Sequence, residues 1–131
     1  MHKRFLKIAC VLGLLAVILG AFGAHALKNM VSDSAVNTFD TGVRYHFYHV
    51  FALLISGILY KEFTNKWVVW AGNMFVTGII LFSGSLYVLT YFVAIVRPAA
   101  SGIGIITPLG GLAFILGWLL LFVGIIKKDK K

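Results

Sequence analysis

The sequence predicts an all-α protein, a four-helix bundle integral to a membrane, and three observations carry that expectation. First, 60% of its 131 residues are hydrophobic and only 12% are charged, with a mean hydropathy of +0.96. A soluble domain of this size has too little interior to hide so much apolar surface. Second, the apolar residues fall into four runs of about 20, each long enough to cross a ~30 Å hydrocarbon core as a helix. These spans cover about residues 7–26, 42–60, 68–96 and 107–126. Third, the basic residues are asymmetric. Lys3, Arg4, Lys7, Lys61, Lys66, Lys127, Lys128, Lys130 and Lys131 share one side of such a bundle, leaving only Lys28, Arg44 and Arg97 for the other. That is the positive-inside pattern, which places both termini in the cytoplasm. Short loops and a single membrane domain over residues 1–131 complete the expectation.

The net charge of +8 could suggest nucleic acid. The basic residues instead flank the spans, where they meet anionic lipid headgroups, so the lipid bilayer is the expected partner and nucleic acid is not. Cys10 is the sole cysteine, which excludes an internal disulfide and any cysteine metal motif.

Residues 1–26 imitate a secretory signal, with a basic start and Ala24-His25-Ala26 as an A-x-A site. The apolar stretch from Ile8 to Ala26 is long for a signal core, so it reads as the first span. Ala9, Gly13, Ala16, Gly20 and Gly23 recur at spacings of three and four, giving a small-residue face that permits close helix approach. After the polar connection Lys28–Asp33, Asp33 or Ser34 is the expected cap of the second helix. Val36, Phe39 and Val43 follow at helical spacing. Lys61–Lys66 forms a polar turn. Trp67 and Trp70 mark the next membrane boundary, because indole rings favour the headgroup region. The third span carries Asn73, Thr77, Gly84, Tyr87 and Tyr91 along one stripe, and Pro98 ends it. Ala99–Ile106 reads as an outer loop. Thr107 and Pro108 read as cap and first residue of the last helix, in which Gly110, Gly117 and Gly124 recur every seven residues.

The groups capable of chemistry concentrate at Asp40–Phe51: Asp40, Arg44, Tyr45, His46, Tyr48 and His49. Ionisable groups within a membrane segment are expensive and mark candidate sites. The first span ends near His25 on the side where the second begins, so His25, His46 and His49 are candidates for one depth. Asp40 and Arg44 have the i,i+4 spacing of an ion pair. Three imidazoles and a carboxylate could hold zinc or copper. His25 and His49 could ligate a haem from two helices. Imidazole, Arg44, Tyr45 and Tyr87 could hold a quinone headgroup or relay protons. The same groups could equally bond to neighbouring backbone and serve packing alone.

No enzymatic activity is expected. The chain has no G-x-S-x-G, no H-E-x-x-H and no P-loop, and Asp33, Asp40, Glu62 and Asp129 are too scattered for paired acid–base work.

Gly20-Ala21-Phe22-Gly23-Ala24-His25-Ala26-Leu27, Tyr45-His46-Phe47-Tyr48-His49, Phe82-Ser83-Gly84-Ser85-Leu86-Tyr87 and Ile106-Thr107-Pro108-Leu109-Gly110-Gly111, with Gly117-Trp118, together resemble the domain-of-unknown-function 423 family. His25, Tyr45, His49, Ser83, Ser85, Tyr87, Thr107 and Pro108 match its signature positions, while His46 departs from them. The resemblance implies a four-helix protein of the bacterial inner membrane, with mitochondrial transmembrane relatives, and names no reaction. The leading expectation is therefore a non-enzymatic accessory or scaffold subunit, associating with itself or other membrane subunits through its glycine faces. The rival is a quinone, haem or metal module. A proton-coupled transporter is a third, constrained by the small number of helices.

Overall fold

The computed structural model describes residues 1–95 and 102–127. The expected end of the third span at Val96, Arg97, the stop at Pro98, the start of the outer loop and the basic tail Lys128–Lys131 lie outside those residues. Among the described residues the chain is helical and contains no strand. Helix α1 covers Lys3–His25, followed by a 3-10 turn at Leu27–Asn29. Helix α2 covers Asp33–Leu59, α3 Lys66–Gly78, α4 Gly84–Ala94 and α5 Ile103–Ile126. A π-helical segment, Ile79–Ser83, joins α3 to α4, so the two make one rod.

Three of the resulting rods are long and apolar enough to cross a membrane: Lys3–Asn29, Lys66–Ala94 and Ile103–Ile126. The expected second span is the exception. At 27 residues α2 is long enough, about 40 Å at 1.5 Å per residue, but its first half is too polar to qualify. That polarity has a structural place. Helix α2 packs against α1, α3, the π segment and α4, and buries His46, His49 and Ser56 among them.

Two helix boundaries differ from expectation. The cap of α2 is Ser32, whose hydroxyl accepts the Ala35 N–H; Asp33 instead lies in the first turn, where the helix dipole favours an acid. Helix α5 begins at Ile103 rather than Thr107, with Pro108 inside it. The residue four before Pro108, where its ring crowds the helix, is Gly104, and the Thr107 hydroxyl is engaged elsewhere. The start of α3 is held by Asn65, which lies in the expected polar turn Lys61–Lys66. Its Oδ1 accepts the N–H groups of Trp67 and Val68 at 3.1 and 3.2 Å, while Nδ2 donates to the Gly124 carbonyl at 2.8 Å.

Two antiparallel seams organise the packing. Gly20 faces Val43, Gly13 faces Val50, and Gly57 faces Leu6, so seven residues back along α1 match seven forward along α2. Gly124 faces Val68, Gly117 faces Phe75, and Gly110 faces Phe82, the same register between α5 and the α3–α4 rod. A seven-residue repeat keeps one helix face on its partner, and glycine removes the side chain that would hold the axes apart. Both glycine faces are thus occupied within the chain. Gly110, Gly117 and Gly124 are buried there and Gly13 and Gly20 partly so, which makes packing within the chain the first use of both faces. Phe5, Leu53, Val68 and Phe75 form the centre, each almost wholly buried. Leu14, Ile18, Leu112, Leu116, Leu119 and Phe122 point outward.

Candidate functional site

His46 and His49 lie on the face that α2 turns to the other helices, and each finds a different fate. His49 is 5% exposed and fully engaged. Its Nδ1 lies 2.8 Å from the Tyr45 carbonyl one turn earlier, and its Nε2 lies 3.3 Å from Nε1 of Trp118 on α5. A carbonyl only accepts and an indole N–H only donates, so Nδ1 carries the proton and Nε2 accepts. The ring lies flat against Phe114, with centroids 3.4 Å apart and planes 8° from parallel, and the Phe75 ring is tilted beside it at 5.8 Å.

His46, 3% exposed, points to α4, where its Nδ1 lies 3.1 Å from the Tyr87 hydroxyl. Its Nε2 has no hydrogen-bond partner and approaches the Leu12 backbone of α1. The Ser83 hydroxyl, in the π segment, is also buried and unpartnered. Two residues on, the Ser85 hydroxyl sits 2.8 Å from the Phe82 carbonyl and 2.6 Å from the Thr107 hydroxyl of α5. The π turn accommodates an extra residue in the helix. Gly84 accordingly donates to Ile79 five residues back, and Ser85 bonds the Phe82 carbonyl.

Of the candidate residues, His46 and Tyr87 come together, as do Tyr45 and His49. His25 and Arg44 do not join them. Both are exposed. The α1–α2 register sets His25 beside about Thr38, roughly eleven residues and ~16 Å along α2 from His49. Asp40 approaches Gly23 of α1 and makes no ion pair with Arg44 within 4.0 Å. Among the described residues no three His, Cys, Asp or Glu side chains are grouped to hold a metal. The haem and metal arrangements drawn from the sequence therefore do not fit these residues: His25 is too far away, and the accepting nitrogen of His49 is taken by Trp118. Trp118 and Phe114 were not among the candidates. Their spacing of four on α5 puts them on one face, but nothing in the sequence aims that face at His49.

The Ser85–Thr107 contact yields a specific expectation. A double-mutant cycle with Ser85→Ala and Thr107→Val, read by unfolding midpoints in detergent, should give a coupling of about 0.6 kcal/mol, the usual size for hydroxyl pairs between membrane helices. Strict additivity would mean that the short contact contributes no net stability.

A family model described as a protein of unknown function, DUF423, matches residues 19–111. The chain is 40% identical over 126 residues to the UPF0382 membrane protein YwdK of Bacillus subtilis, covering 95% of this chain and 98% of that protein. It is 39% identical to a UPF0382 membrane protein of Staphylococcus aureus, covering 95% and 97%. It is 35% identical to the UPF0382 inner membrane protein YgdD of Escherichia coli, covering 100% and 96%. No solved structure matches the chain.

Proposed function

Because the chain belongs to the DUF423 family of membrane proteins, we propose that it is a non-catalytic, four-span protein of the bacterial inner membrane that serves as an accessory or scaffold element of a larger membrane assembly. The observation that carries this reading is the state of the buried His49 ring. His49 has both nitrogens engaged and its ring stacked on Phe114, an arrangement that stabilises a bundle and leaves neither of its nitrogens free to react. Four spans are supported by α2 running antiparallel to α1 along nearly its whole length. Cytoplasmic termini are supported by the gathering of Lys3, Arg4, Lys7, Lys61, Lys66 and Lys127 at one end. There the His2 N–H reaches the Gly57 carbonyl, and Asn65 reaches Gly124. Partners would meet surfaces other than the two glycine seams. Native mass spectrometry of the protein extracted gently from its own membrane should show it with other subunits or further copies of itself. A single protomer carrying lipid alone would sink the assignment.

A quinone-binding role is the second reading, and one observation favours it. With His46 Nδ1–H donating to the Tyr87 oxygen, the Tyr87 O–H is left to donate to a quinone carbonyl, and Tyr87 lines a small apolar cavity of about 140 Å³ with Phe22, Leu27 and Phe39. Gentle extraction should then yield a quinone that His46→Ala and Tyr87→Phe each release. Wild-type protein free of quinone would exclude it.

A further inference from the structure

At the end of the bundle where α3 begins and α5 stops lies an open cleft of about 930 Å³. Asn65 forms its floor and joins the two helices: besides its bonds to Trp67, Val68 and Gly124, its Nδ2 lies 3.3 Å from the Lys127 carbonyl. Trp67 and Trp70 form one wall, edge to face with centroids 5.5 Å apart. Two ammonium groups stand over these rings. Lys66 Nζ is 5.4 Å from the Trp67 ring and 5.5 Å from the Trp70 ring, and Lys127 Nζ is 4.7 Å from Trp67. The indole faces attract both cations and hold them on one side of the cleft. No carboxylate among the described residues lies within 4.0 Å of either, and none lines the cleft. Two positive charges are fixed beside a space large enough for a ligand, with no acid among the described residues to neutralise them.

From this geometry we propose that the cleft binds the phosphate-bearing headgroup of an anionic phospholipid. The phosphate sits by Lys66 and Lys127, and the acyl chains descend over the apolar rim. That rim decides between a lipid and a free phosphate compound. Val69, Trp70 and Ile126 line the cleft, and Trp70 and Ile126 are 47% and 63% exposed, continuing onto the bundle's apolar outer surface. Tryptophan pairs of this kind sit at the depth of lipid headgroups, and basic pockets between helices there suit anionic lipids.

The test titrates the purified full-length protein in mild detergent with phosphatidylglycerol, phosphatidylcholine or inorganic phosphate, and counts bound species by native mass spectrometry. Phosphatidylglycerol should be retained about tenfold more than phosphatidylcholine, and K66A/K127A should erase most of that preference. Both lysines are exposed, so the double variant should keep the wild-type melting temperature, while K3A/K28A should retain the lipid as wild type does. Equal retention of the two lipids, or unchanged retention in K66A/K127A, overturns the proposal. Binding of inorganic phosphate without a preference for phosphatidylglycerol overturns it too, in favour of a soluble phosphoryl compound.

Discussion

Replacing Gly110 by alanine should remove about 3 kcal/mol or more of stability, the largest effect expected of any single methyl group in this chain. A Cβ there would lie 2.7 Å from the Phe82 Cα and closer still to its backbone nitrogen. A flexible side chain can rotate out of such a clash, but backbone moves only if the whole rod moves. Separating α5 from the π segment would also pull Thr107 away from Ser85. The adjacent Gly111→Ala supplies the control. Its nearest neighbour would be Phe82 Cδ2 at 3.9 Å, an ordinary contact, and alanine favours helix, so that variant should match wild type or exceed it slightly. Unfolding midpoints in detergent check both. Equal midpoints for the two variants would show that α5 can shift freely and that the close approach is not required.

His49→Ala should be the next most damaging change, at about 3 kcal/mol, and Trp118→Phe should lose only about 1 kcal/mol. The difference follows from which interaction dominates. Removing the imidazole opens a void beside Phe114 and Phe75 and leaves the Trp118 N–H without its partner. Cavities of this size lower stability by a few kcal/mol. Removing the indole N–H deletes one 3.3 Å hydrogen bond and preserves most of the ring packing; hydrogen bonds between membrane helices average about 0.6 kcal/mol. Similar losses for the two variants would show that the bond, not the packing of the ring, holds His49.

How much of this was legible beforehand depends on whether a residue's role is local or crosses between helices. The helical class, the apolar runs and the family signature are properties of composition and short-range pattern, and they were readable. The cap of α2 was missed by one residue, because Ser32, Asp33 and Ser34 are all competent caps and only the backbone turn at Ser32 selects among them. Pro108 misled more seriously. Proline is favoured in a first turn, yet here it is tolerated deeper in the helix. His46 and His49 were singled out correctly as unusual, but their partners were not. Tyr87, Trp118 and Leu12 sit on three other helices, and no pattern within α2 encodes which of them a ring will meet. His25 shows the converse error. Proximity of helix ends suggested one depth, whereas the seven-residue register of α1 on α2 sets it far from the other two rings.

That register also bears on the order in which the protein is made. Each glycine seam joins helices that are neighbours in the chain, α1 with α2 and the α3–α4 rod with α5. Translation delivers the N-terminal segments first. On the proposed four-span arrangement, the most polar helix reaches the bilayer just after the one that complements it, and its Asp40 and histidines need not face lipid alone for long. The second hairpin then arrives with Tyr87 and Trp118, which bond to His46 and His49. A permuted chain that began at α2 would keep every contact of the finished bundle and lose this sequence of rescue, leaving its first emerging helix dependent on the insertion machinery.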